Sequence, residues 1–231
     1  MKCHDTELTE YTTCPLGTFE LTEEVTETCA NELLRWLTLE TFNKRQVPLP
    51  VIRKKFVSLW NNHWPVDLKR DGTRYWAGIR VGRRVAATLW TLFDKYEVLR
   101  PYQVYELPVG PHVVTGGYAI IGRRKPDALG EDGPYVLMPH PFRPKMFTPP
   151  DLVALVRWKH AMMSGEYVGL GIYHLALLRG KNWRNRTVAE PLVLPWLQST
   201  LDAMAQNLRF PIPSGSCTLC NEQECMEVFV R

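Results

Sequence analysis

The stretch PSGSCTLCNEQEC, Pro213–Cys225, brings three of the chain's six cysteines within nine residues. Cys217 and Cys220 stand in Cys-x-x-Cys spacing, which lets two thiolates reach one metal ion, and Cys225 adds a third donor. A closed site needs four such ligands, so a fourth must come from elsewhere in the chain. Zinc commonly takes cysteines as two close pairs, whereas an iron–sulfur cluster takes four and accommodates uneven spacing. Cys14, in the Cys-Pro turn of ELTEYTTCPLGTFEL, is a candidate, with Cys3 and Cys29 as competitors. Cys29 falls inside a helical pattern, where a packed thiol is the expectation. Incidental free thiols remain the alternative to a metal or cluster site. A disulfide needs an oxidising compartment, and a redox-active Cys-x-x-Cys normally opens a helix after a strand.

A second chemistry is carried by cations around aromatic rings. RGKNWRNR sets Arg179, Lys181, Arg184 and Arg186 about Trp183 in a segment read as a loop. Cations bind phosphates and an exposed indole stacks on a base; the alternative for Trp183 is a packed loop anchor. Arg123, Arg124 and Lys125, then Arg143 and Lys145, then Arg157 and Lys159, follow on neighbouring elements. Residues 51–84 carry nine Lys/Arg against two Asp/Glu, a net of +7, beside an acidic first fifty residues with four against nine, a net of −5. Such a block suggests a polyanion-facing surface, with a solvated helix face as the plainer reading. No Ser/His/Asp arrangement and no Walker-type glycine loop is found. His140, His160 and His174 read as packed or surface histidines. PVDLK, Pro65–Lys69, spells Asp-x-Lys but falls between two helices.

These residues need elements to position them. With 231 residues, 45% of them hydrophobic, the chain can bury the core of one large domain. No run approaches the ~20 apolar residues of a membrane span, and the opening MKCHDTELTEYTTC is too polar for a signal peptide. A cytoplasmic location without membrane contact is expected. Apolar residues at helical spacing predict helices over Thr22–Phe42, Val51–Trp64 and Arg80–Tyr96. Short β-branched and aromatic runs bounded by Gly and Pro follow: VYELPVG, PHVVTGGYAIIGRR and GPYVLMPHP, the pattern of a strand meander. TPPDLVALVRWKHAMM reads as a helix, with Thr148 as cap and prolines in its first turn. VGLGIYHLALLR reads as a strand and LPWLQSTLDAMAQNL as the last helix. The expected class is α/β or α+β, one sheet flanked by helices. Residues 22–96 form the helical part and 97–210 the sheet core.

The two ends of the chain carry a resemblance. DTELTEYTTCPLGTFEL and RFPIPSGSCTLCNEQEC resemble the opening and close of the iron–sulfur branch of RecB-like PD-(D/E)XK nucleases, a branch that includes AddB-type recombination subunits and CRISPR-associated cluster-bearing nucleases. The resemblance implies a restriction-endonuclease-like fold and a 4Fe–4S cluster held by Cys14, Cys217, Cys220 and Cys225, with zinc as the alternative. The cluster would clip residues 211–231 to the start of the domain. It would close a loop of about 200 residues, where a long-range staple has most entropy to remove.

The family's chemistry needs an acid on one strand and an acid-x-Lys on the next, holding Mg²⁺ or Mn²⁺. Matched to that frame, Gly122-Arg123-Arg124-Lys125 puts Lys125 at the first acid, and YVLMPHP puts Met138 and His140 at the second acid and the lysine. The first helix offers Asn31 where the family has a histidine, and DLVALVRWKHAMM lacks the glutamine–tyrosine motif. The resemblance with these replacements implies a pseudo-nuclease that binds DNA through its cations. Two alternatives stand beside it: a regulatory platform for a protein partner, and an active exonuclease whose acids are displaced to Glu106 or Asp127. Such a protein suits a bacteriophage or mobile element.

Overall fold

The computed structural model describes residues 1–5, 21–123, 134–140, 152–165, 171–177, 181–185 and 190–207; at Leu21, Glu23, Arg123, His140, Leu152, Ala176, Trp196 and residues 181–185 and 190–194 the description is of the backbone. The helical part comes first. Helix α1, Leu21–Phe42, buries Val25, Cys29, Ala30, Leu33, Leu34 and Leu37, the three- and four-residue spacing of one helix face. Prolines that cannot continue it open α2, Leu49–His63, where Pro48 is the N-cap and Pro50 lies in the first turn. Helix α3, Thr73–Lys95, starts at the Gly72 turn, seven residues ahead of the expected start. It packs closely on α2: a Cβ on Gly78 would overlap the ring of Trp60, and one on Gly82 the ring of Phe56.

Among the described residues six strands make one mixed sheet. They are β1 (Lys2–His4), β2 (Tyr96–Val109), β3 (His112–Arg123), β4 (Tyr135–His140), β5 (Ile172–Ala176) and β6 (Lys181–Asn185). From β2 to β6 the order in space is the order in the chain. Strand β3 is antiparallel to β2 and to β4, β5 is parallel to β4, and β6 is antiparallel to β5. The parallel pair is joined through helix α4, Leu152–Met163, and helix α5, Glu190–Ala205, follows the last strand. Because β2 covers one edge of β3 along its length, β1 and β4 share the other edge. Strand β1 runs parallel to β3 at Val113–Thr115, and β4 pairs at Ala119–Ile121.

Alternation along the strands sorts two cores. Ala119, Ile121, Tyr135, Leu137, Tyr173 and Leu175 face the α1–α3 layer. Val114, Tyr118, Ile120, Val136, Met138 and Ile172 face α4 and α5. The result is a mixed sheet flanked by helices on both faces.

Three expectations need correction. Lys181–Asn185 is an edge strand and not a loop; a charged segment is suited to an edge, where one side of its backbone faces water. Strand β1 was not expected from so polar an N-terminus, yet three residues complete the free edge of β3. Helix α5 starts at Glu190, ahead of Leu194, with Pro195 exposed inside it at the cost of one intrahelical hydrogen bond. No helix among the described residues is long and apolar enough to cross a membrane.

Candidate functional site

Strands β1 and β4 converge along one edge of β3. The register His4↔Thr115 puts Asp5 level with Gly116. The β3–β4 ladder ends at Ala119↔Leu137, and Met138–His140 run on paired with β5. Strands β1 and β4 thus share this edge of β3, with α4 packed above.

Asp5 lies in that junction with no exposed surface. Its carboxylate accepts hydrogen bonds from Arg157 Nε at 2.7 Å, Arg157 Nη2 at 3.1 Å and the Tyr105 hydroxyl at 2.8 Å. His4 Nδ1 stands 3.4 Å from Oδ1. The third guanidinium nitrogen of Arg157 donates to Met138 Sδ at 3.5 Å. A Cβ on residue 116 would overlap the Asp5 carboxylate, so the glycine makes room for it. Nearby, the Tyr118 hydroxyl and His160 Nδ1 are 2.8 Å apart, and the His160 ring lies 4.9 Å from that of Tyr105.

The electrostatics follow from burial and pairing. Burial works to lower the Arg157 pKa, but the hydrogen bonds and charge of Asp5 outweigh it and hold the guanidinium above its usual value. Burial pushes the Tyr105 hydroxyl up, and the Asp5 charge adds to this, so the phenol remains a donor. Burial holds the His160 pKa below its usual value, leaving a neutral ring at pH 7. One carboxylate facing one fixed guanidinium is locally neutral. It offers a divalent cation no second acid, and the Met138 thioether is a poor ligand for Mg²⁺. Among the described residues no group of three His, Cys, Asp or Glu is placed to hold a metal ion.

The residues expected at a nuclease centre fall unevenly. Met138 is in the junction, 4% exposed, and His140 ends β4 beside it. Lys125 lies outside the described residues. Arg157, expected among the phosphate-binding cations, is instead buried in its pair with Asp5 and is not available to a ligand; its long stem spans the α4–sheet gap to reach the carboxylate. Lys159, two residues on and turned to another side of the helix, is half-buried beside Pro108–Gly110 and Gln198. Trp183 stands in the register row of Met138 and His174, and Lys181 in the row of His140 and Ala176. Two strand spacings, about 10 Å, therefore separate the Trp183 and Met138 backbones. Arg184 pairs with Tyr173, nearer the other end. Cys14, Arg124, Arg143, Lys145, Arg179, Arg186, Cys217, Cys220, Cys225 and Asp127 lie outside the described residues.

The displaced acid Glu106 is exposed and ion-paired with Lys2, on the sheet face away from Met138. Asp67 and Lys69 of PVDLK are exposed in the turn between α2 and α3. Cys3 and Cys29 are both buried; burial, with Glu32 nearby, pushes the Cys29 thiol up to about 12. Neither comparison with family models nor comparison with curated proteins finds a match to this chain. The residues that sequence reasoning missed are Asp5, Tyr105 and Gly116. Only the paired glycines Gly116-Gly117 in an otherwise β-branched strand hinted at a close approach.

Proposed function

We propose that this protein is a catalytically inactive nuclease-fold protein that carries an iron–sulfur cluster and binds DNA. The observation that carries the reading is the Asp5–Arg157 pair: where the resemblance calls for two acids around a divalent cation, this chain holds one buried carboxylate neutralised by its own guanidinium. A meander of three strands, a helical crossover to a parallel strand and an antiparallel edge strand is compatible with the restriction-endonuclease-like sheet that the resemblance implies.

The resemblance implies Cys14, Cys217, Cys220 and Cys225 as the ligands, and Cys3 and Cys29 are packed in the two cores. Cys14 is nine residues beyond Asp5 and Cys217 ten beyond Asn207, each a reach of about 30 Å when extended. The elements these segments leave are themselves linked: Met1 N is 3.4 Å from His112 Nδ1, and His112 Nε2 is 2.7 Å from Asp202 on α5. Four thiolates suit a 4Fe–4S cluster, with zinc as the other metal the set accepts. DNA is the partner that the cations Arg123, Arg124, Lys125, Arg143, Lys145, Arg179, Lys181, Arg184 and Arg186 favour.

The test is purification without air, with iron, acid-labile sulfide and zinc determined, and DNA retention and cleavage measured with Mn²⁺ and with a chelator. The reading expects about four irons and four sulfides per chain, DNA retention in the chelator and no cleavage in Mn²⁺. Cleavage that depends on Mn²⁺ overturns the inactive assignment. A protein free of both metals, or one that retains no DNA, overturns the corresponding part.

A further inference from the structure

The outer face of α3 is not accounted for by the sheet junction. Trp76 and Trp90 are 50% and 42% exposed, in a protein whose Trp60 and Trp64 are fully packed. Fourteen residues separate them, so they stand about 21 Å apart along the helix and within about 40° around it. Arg80 and Arg83 occupy the same stripe between them, and Arg84 flanks it; all three are exposed. From Trp76 to Trp90 the sequence WAGIRVGRRVAATLW has three arginines and no acid. Among the described residues none of these arginines has a carboxylate within ion-pair distance; the first acid beyond the stripe is Asp94. The neighbouring helix α2 adds exposed Arg53 and Lys54.

A hydrophobic partner face would not need three unneutralised guanidinium groups, and a duplex would have no use for the indoles, because its bases are stacked inside. A single strand uses both. Its phosphates meet the arginines, and its unstacked bases lie on the indole faces. The Trp–Trp span corresponds to about six phosphate spacings of a stacked strand. We propose that the α3 stripe Trp76–Arg80–Arg83–Trp90 is a single-stranded DNA platform, separate from the sheet-end cations. The proposal extends the DNA-binding reading to a second face and a different form of DNA.

The probes are a labelled oligothymidylate of about twelve nucleotides, roughly twice the span, and a mixed-sequence duplex of equal length, titrated by anisotropy at several salt concentrations. Three variants are compared with the wild-type chain: Trp76→Ala/Trp90→Ala, Arg80→Ala/Arg83→Ala, and Arg123→Ala/Arg124→Ala/Lys125→Ala. The tryptophan pair is expected to weaken oligothymidylate binding by about tenfold or more with the salt slope unchanged. The arginine pair is expected to flatten that slope by about 1.4, at about 0.7 per phosphate. Both should leave duplex binding and the melting temperature in place, while the 123–125 variant lowers duplex binding. If the two α3 variants bind oligothymidylate like wild type, the platform is refuted, and the DNA reading stands on the duplex result. If wild type binds neither probe, both readings fall. If the tryptophan pair instead converts a dimer into a monomer in sedimentation, the stripe belongs to a second copy of the chain and the platform is refuted.

Discussion

Replacing Arg157 by methionine tests the pairing at the β1–β4 junction directly. The variant keeps most of the apolar stem and removes the charge. In the wild-type chain, Asp5 has no exposed surface and takes three close hydrogen bonds, two of them from Arg157. Arg157→Met leaves a buried carboxylate with only the Tyr105 hydroxyl and the more distant His4 ring. Breaking one side of a buried pair costs about 3–5 kcal/mol. For a chain of this size each kcal/mol moves the melting temperature by about 2–4 °C, so a fall of about 6–20 °C is expected. Asp5→Asn removes the charge from the other side and should also destabilise. The double variant, with neither charge, should lose less than the two singles together, by at least about 1 kcal/mol. Urea unfolding at neutral pH on the four proteins closes the cycle. A cost below about 1 kcal/mol for Arg157→Met, or additive singles, would mean that the two side chains do not meet in solution. The proposal that a guanidinium replaces the metal here would then fall.

Gly82→Ala places a Cβ in the ring of Phe56, and Gly78→Ala one in the ring of Trp60. Both rings are 0–1% exposed and have nowhere to go. Overpacking of about 1–3 kcal/mol should therefore exceed the helix-propensity gain of up to about 1 kcal/mol, and urea midpoints should fall. His160 has a folded-state pKa below its unfolded value. Its contribution is thus present in full above about pH 6.5 and is lost as the pH falls, because the unfolded chain takes the proton first. The melting temperature should drop between pH 7.5 and pH 5, and His160→Gln should reduce that drop. Cys220→Ser should lower bound iron to near zero and destabilise the whole chain; an unchanged iron content removes Cys220 from the ligand set.

Much of the frame was legible because it is periodic. The α1 and α2 faces follow from apolar spacing, and β3 and β4 from β-branched runs bounded by glycine and proline. What escaped is short or polar: β1 has three residues, and β6 is Lys-Asn-Trp-Arg-Asn, held by backbone pairing that composition does not report. The junction was half legible. Met138 drew notice only through the resemblance, which expects an acid there. Its partner Arg157 sits in RWKH, where it resembles any surface cation. Asp5 is one acid among nine in the first fifty residues. An ion pair between residues 152 apart leaves no local pattern.

The same separation sets a timetable for synthesis. Asp5 leaves the ribosome 152 residues before the arginine that neutralises it. At about 5–20 residues per second that is a wait of roughly 8–30 s. Through it, the carboxylate lacks the guanidinium that neutralises it, although the Val113–Thr115 edge that β1 joins is already made. The first strand of the sheet in the chain thus waits on a helix made after β2, β3 and β4. Until α4 is complete, the edge of β3 at Gly116 stands open, and this is the interval in which the nascent chain is most exposed to strand addition from a neighbour.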